Sequence, residues 1–130
     1  MMKRRTAREK ALQALFQIDM NQSTPEEAIE NVLHHQEHDP YLSDLVEGTY
    51  AHIKEIDALI SDHLDKWSID RLAKVDLNIL RLAVYELKYV EDVPANVAIN
   101  EALEVSKRFA DERSSKFING VLNHIKQMIQ

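Results

Sequence analysis

Cysteine is absent from the 130-residue chain, and with it go disulfides, thiol catalysis and thiolate metal sites. That absence is compatible with a reducing cytosol. Glycine is almost as scarce. With only Gly48 and Gly120, neither a phosphate-cradling P-loop nor a glycine-rich dinucleotide fingerprint can be written anywhere in the chain. A G-x-S-x-G elbow and an H-E-x-x-H pair are missing as well. No window approaches the roughly 18 apolar residues of a membrane-spanning helix, and the basic N-terminus is not followed by an uninterrupted apolar run. The expectation is a soluble, cytoplasmic protein with no sequence motif for a nucleotide cofactor. Its length suits a single domain over residues 1–130.

Only three prolines join the two glycines as interruptions, and apolar residues recur at helical spacing nearly throughout, so the expected fold class is all-α. On a first helix over Lys3–Asp19, residues Ala7, Ala11, Leu12, Leu15, Phe16 and Ile18 share a broad face. Arg4, Arg5 and Arg8 extend that face toward the N-terminus, which directs their guanidinium groups to neighbouring helices at one end of the core. Thr24-Pro25-Glu26-Glu27 reads as a cap, a proline at the first helical position and a capping-box glutamate, opening a second helix. Asp39-Pro40 starts a third, whose stripe runs from Leu42 to Leu64 and contains Gly48. Glycine inside a helix costs about 1 kcal/mol against alanine, so Gly48 predicts the close approach of another helix.

Asp65-Lys66-Trp67-Ser68 breaks the pattern, and Ser68 is a candidate cap for a short turn over Ile69–Ala73. Val75–Leu87 is apolar on most of its circumference, as a central helix would be. A sixth helix is predicted over Ala95–Ala110. A last one, capped by Ser114, carries Phe117, Ile118, Val121, Leu122 and Ile125 inward.

Charge is unevenly placed. The chain is −6 overall, yet Lys3, Arg4, Arg5, Arg8 and Lys10 face only Glu9 within residues 1–10, so the tip is +4 and the other 120 residues sum to −10. A basic tip on an acidic body points to two electrostatic partners, a polyanion and a basic protein. Cations at a helix N-terminus oppose the macrodipole, a local cost that an anionic partner would offset. Lys107, Arg108, Arg113 and Lys116 flank the last interhelical turn. Phe117 beside them suits either stacking on an unpaired base or a core position in its stripe, and the spacing favours the core. His34, His35 and His38 with Asp39 resemble a metal cluster, but histidines at a helix C-terminus are favoured by the dipole alone, so no metal site is expected.

Three stretches together resemble the NusB family of transcription antitermination factors: the opening R-R-T-A-R-E-K-A-L-Q-A-L-F, the central I-L-R-L-A-V-Y-E-L, and V-P-A-N-V-A-I-N-E-A-L-E-V-S-K-R-F followed by S-S-K-F-I-N-G-V-L. The resemblance spans essentially the whole chain. It implies a compact bundle of about seven helices in two packed sub-bundles and no catalysis. It also implies binding of boxA, a short single-stranded RNA element of ribosomal RNA leaders, together with the basic small-subunit ribosomal protein NusE, within an antitermination complex on RNA polymerase. By the same resemblance, RNA contacts fall on Lys3, Arg4, Arg5, Arg8, Lys116 and Phe117, with Arg113 standing where some relatives carry an acid. NusE contacts fall on Phe16, Asp70, Asp76 and Glu86, with Phe16 and Asp76 replacing a tyrosine and a glutamate of some relatives. Two other readings accompany this one. A NusB-like domain also precedes the catalytic domain of some ribosomal RNA cytosine methyltransferases, although no glycine-rich cofactor domain is present here. A homodimer-forming helical scaffold would leave the basic tip as solvated charge.

Overall fold

The computed structural model describes residues 2–64 and 68–129, so the predicted break at Asp65, Lys66 and Trp67 lies outside the described residues. Among them the chain forms α1 (Arg4–Asn21), α2 (Pro25–Leu33), α3 (Pro40–Ala51), α4 (Ile53–Asp62), a 3₁₀ turn over Ile69–Arg71, α5 (Lys74–Tyr89), α6 (Ala95–Phe109) and α7 (Glu112–Ile129), with no strand. The helices α1, α2 and α3 pack on one another. The second group is α4 to α7, and α1 joins the two groups by lying along α5. One contiguous cluster of buried apolar side chains draws on all seven helices, with Leu33, Leu42, Leu45, Ile56, Leu80, Ile118 and Leu122 fully buried.

Local chemistry explains most of the boundaries. The Thr24 hydroxyl accepts from the Glu27 N–H at 3.2 Å, and Asp39 accepts from the N–H groups of Tyr41 and Leu42, each with proline at the next position. Gly48 lies where α3 meets α5. A Cβ there would come within 2.2 Å of the Tyr85 ring and hydroxyl, which is the close approach its position predicts.

Three boundaries differ from the sequence expectation. The predicted third helix is two helices, because His52 leaves helical geometry (φ −105°, ψ 19°) and stacks its ring on Tyr89 with centroids 4.1 Å apart. Periodicity cannot see this break, since the apolar stripe continues in phase across it. Ser68 makes no capping bond to the 3₁₀ turn. Nor does Ser114 cap α7. Asp111 accepts its N–H at 2.8 Å, which holds the Asp111 carboxyl below its ordinary range, and the Ser114 hydroxyl donates instead to Asp76 at 3.1 Å. A carboxylate three residues upstream outcompetes a hydroxyl as cap acceptor. In the histidine cluster, His34 and His35 take positive φ where α2 ends, and His38 Nε2 lies 2.6 Å from Glu30.

Candidate nucleic-acid interface

Side-chain pairing fixes how the helices run. Arg8 meets Glu86 while Asp19 meets Asn78 and Arg81, so α1 and α5 are antiparallel. Arg5 meets Glu101 and Glu9 meets Arg108, so α1 and α6 are parallel with their N-termini side by side. Neither start carries a side-chain cap or an acid in its first turn. Two partially positive helix ends therefore face the same way. Between them and the turn before α6 opens a groove of about 700 Å³.

Five cations line this groove, Lys3, Arg4, Arg5, Arg8 and Arg108, against three carboxylates, Glu9, Asp92 and Glu101. Arg4 reaches Asp92 at 3.0 Å and lies 4.3 Å above the centre of the Tyr41 ring. Arg5 makes a two-pronged pair with Glu101 at 3.1 and 2.8 Å, and that pairing, followed by Arg8, holds the Glu101 carboxyl below its usual range. Arg108 reaches Glu9 at 3.0 Å. Exposed pairs of this kind contribute ~0–1 kcal/mol, so an incoming phosphate can displace the carboxylates at little cost to the fold. The predicted direction of the guanidinium groups, toward neighbouring helices, is what the structure shows.

Within the basic tip, Arg8 stands apart from the exposed Arg4 and Arg5. It is 4% exposed and spends its guanidinium on Glu86, with bonds of 2.8, 3.1 and 2.8 Å, and on Glu101 at 3.3 Å. Glu86 is 2% exposed and accepts a further bond of 2.5 Å from the Tyr41 hydroxyl. Burial and the Glu86 charge both push the Tyr41 phenol up. Arg8 is thus the floor beneath Arg4 and Arg5 and has no free face for phosphate. Glu86, expected to touch a protein partner, has no surface to offer one.

The remaining candidates separate by location. Lys3, Arg4 and Arg5 are exposed at the groove, whereas Arg113, Lys116 and Phe117 stand on α7 and do not line it. Arg113 and Lys116 are exposed, and Lys116 makes only a loose approach to Glu112 at 3.9 Å. Phe117 is half-buried and packs against the core, so both of its readings retain a physical basis. Phe16 is half-buried and lies outside the core cluster. The antiparallel pairing brings its end of α1 to the start of α5, where Asp76 is half-buried and Asp70 exposed on the preceding turn. Glu86 lies about 15 Å further along α5.

Sequence reasoning missed the roles of Glu101, Asp92, Tyr41 and Arg108. Glu101 and Arg108, seven residues apart, share a face of α6 that points at α1, a spacing that could have exposed their part. Nothing local in the sequence pairs Tyr41 with Arg4 or Asp92 with Arg4.

Comparison with known proteins decides the family. The NusB family model matches residues 5–127. The chain belongs to the NusB family. A transcription antitermination protein NusB from Bacillus subtilis is 54% identical over 129 residues, covering 99% of this chain and 98% of that one. One from Listeria monocytogenes is 58% identical over 124 residues, covering 95% and 96%. Among solved structures, T. maritima NusB aligns with a TM-score of 0.89 at 38% identity, covering 97% of this chain and 92% of that one. A chain from the crystal structure of the antitermination factors NusB and NusE in complex with dsRNA aligns with a TM-score of 0.87 at 35% identity, covering 96% of each. The expected all-α fold is the NusB fold.

Proposed function

We propose that this protein is a non-catalytic RNA-binding antitermination factor that holds boxA-type unpaired RNA of ribosomal RNA leaders and binds it together with NusE, in support of processive elongation by RNA polymerase. The observation that carries the reading is an open groove of exposed cations, at two uncapped helix starts, in a chain matched almost end to end by antitermination proteins. Lys3, Arg4 and Arg5 take phosphates. Arg8 keeps the floor rigid beneath them. Arg113, Lys116 and Phe117 extend the surface over the start of α7. NusE docks on the face carrying Phe16, Asp70 and Asp76, where the acidic body suits a basic protein. The whole chain acts as one domain. The methyltransferase-associated reading is not favoured, because the relatives covered nearly over their full lengths carry the antitermination name.

The test is a titration of a boxA strand and a scrambled strand, each with and without NusE, over a range of salt. Phosphate contacts from Lys3, Arg4, Arg5 and Lys116 give a log–log slope of about −3 for a single strand. NusE widens the gap between boxA and the scrambled control. Equal affinity for both strands in the presence of NusE would sink the reading. Light scattering without RNA addresses the competing homodimer scaffold, which associates whether or not RNA is added.

A further inference from the structure

The rim of the groove has one apolar segment that the packing of the protein does not explain. Val97, Glu101 and Arg108 follow one another at i, i+4 and i+11, a single stripe of α6 turned toward α1. Glu101 and Arg108 are engaged with Arg5, Arg8 and Glu9. Val97, one turn nearer the open end, is 39% exposed and takes no part in the core cluster. The inward face of α6 is supplied by Ala98, Ile99, Ala102 and Val105, so Val97 is not needed to seat the helix. One turn before it stands Pro94, also exposed, above the buried Val93. An apolar shoulder thus faces a wall of Lys3, Arg4 and Arg5 across open solvent.

We infer that Pro94 and Val97 form a base-binding subsite, so that the groove grips one unpaired strand with its phosphates on α1 and a base face laid on α6. This deepens the RNA reading above and rests on it. A cationic wall alone accepts any polyanion, paired or not. A cationic wall opposite an apolar shoulder matches a ligand that is charged on one side and flat and apolar on the other, which is how an unpaired strand presents itself. In an A-form duplex the base faces are stacked and inaccessible, leaving only grooves, hydroxyls and phosphates to contact. The shoulder therefore discriminates single from double strands through its lack of charge. Proline and valine offer aliphatic contact without base-edge hydrogen bonds, so the subsite recognises that a base is unpaired and leaves its identity to other groups.

The experiment compares Val97→Ser and Val97→Phe with the parent protein, using an unpaired boxA RNA, the same strand annealed to its complement, and a set of boxA strands each with one base removed at a different position. Val97 is exposed, so both variants keep the parent melting temperature, which is checked first. For the unpaired strand Val97→Ser weakens binding roughly three- to tenfold, and Val97→Phe, which adds a stacking face, tightens it by a similar factor. The salt slope stays unchanged in both, because no phosphate contact is touched. Duplex affinity does not move. Removing one particular base weakens the parent protein but no longer matters in Val97→Ser. Equal losses on single and double strands, or base-removal effects identical in the parent and Val97→Ser, would overturn the subsite while leaving the groove an RNA site. Absence of RNA binding by the parent protein would overturn both.

Discussion

Arg8 and Arg5 are three residues apart on α1 and donate to the same carboxylate, Glu101, yet they belong to different parts of the molecule. The side chain of Arg5 is 56% exposed with a single anionic partner, whereas that of Arg8 is 5% exposed and shares its charge between Glu86 and Glu101. Residue type and helical neighbourhood are the same, and one turn of rotation separates a group available to a ligand from one consumed by the fold. A basic cluster in a sequence is thus an upper bound on the cations a polyanion can use. Here the floor fixes the geometry and the rim remains free to exchange partners.

The largest expected effect comes from opening the floor. Removing one member of a buried pair strands the other without water, so Arg8→Ala or Glu86→Ala lowers unfolding free energy by about 3–5 kcal/mol in a denaturant titration. Replacing both, Arg8→Met with Glu86→Leu, restores most of that loss, because well-packed apolar groups avoid the desolvation cost. If the single variants lost less than about 1 kcal/mol, the scale of an exposed pair, the distinction between floor and rim would collapse.

The same contrast can be drawn without charge. At Gly48 a methyl group would strike the buried Tyr85, whose hydroxyl donates to Asp44 at 2.9 Å, while nothing lies within 4 Å of one at Gly120. Gly48→Ala therefore destabilises by about 1–3 kcal/mol despite better helix propensity, whereas Gly120→Ala stabilises by about 0.5–1 kcal/mol. Thermal melts of the two variants moving in the same direction would contradict this.

At the rim, the double variant Arg4→Gln/Arg5→Gln changes stability by less than about 1 kcal/mol, since both pairs are exposed. Its effect appears in RNA binding. Losing two phosphate contacts reduces the magnitude of the salt slope by about 1.4. A variant with parent-like slope would place the phosphates elsewhere, on α7 for instance.

Much of this was legible in the sequence because helices announce themselves locally. Thr24-Pro25, Asp39-Pro40 and the stripe 117, 118, 121, 122, 125 each record short-range geometry, and Gly48 foretold a close approach. Less legible was anything set by a partner distant along the chain. Arg8 and Glu86 are 78 residues apart, and no periodicity says that they meet or that the meeting is dry. The break at His52 was hidden for a related reason, since the stacking that accompanies it involves Tyr89 on another helix. Family resemblance carried the basic segment over as one set of RNA contacts, and only packing could divide it.

Glu101 belongs to both regions and gives the smallest and most exacting test. Its carboxyl is held below the ordinary range chiefly by the Arg5 bonds, with Arg8 adding to the effect. A depressed carboxylate contributes stability that is fully present above its unfolded value near pH 4.3 and is lost as pH falls through the lower folded value. In Glu101→Gln that contribution is missing at neutral pH. Parent and variant should therefore differ by up to ~1 kcal/mol at pH 7, and the difference should shrink progressively below about pH 4.3. RNA binding moves the opposite way. With one negative charge gone from the groove and Arg5 released, the variant binds a single strand more tightly at neutral pH, most clearly at low salt. Weaker RNA binding in Glu101→Gln would mean that Glu101 acts mainly by holding Arg5 in position. The rim would then be as dependent on fixed geometry as the floor.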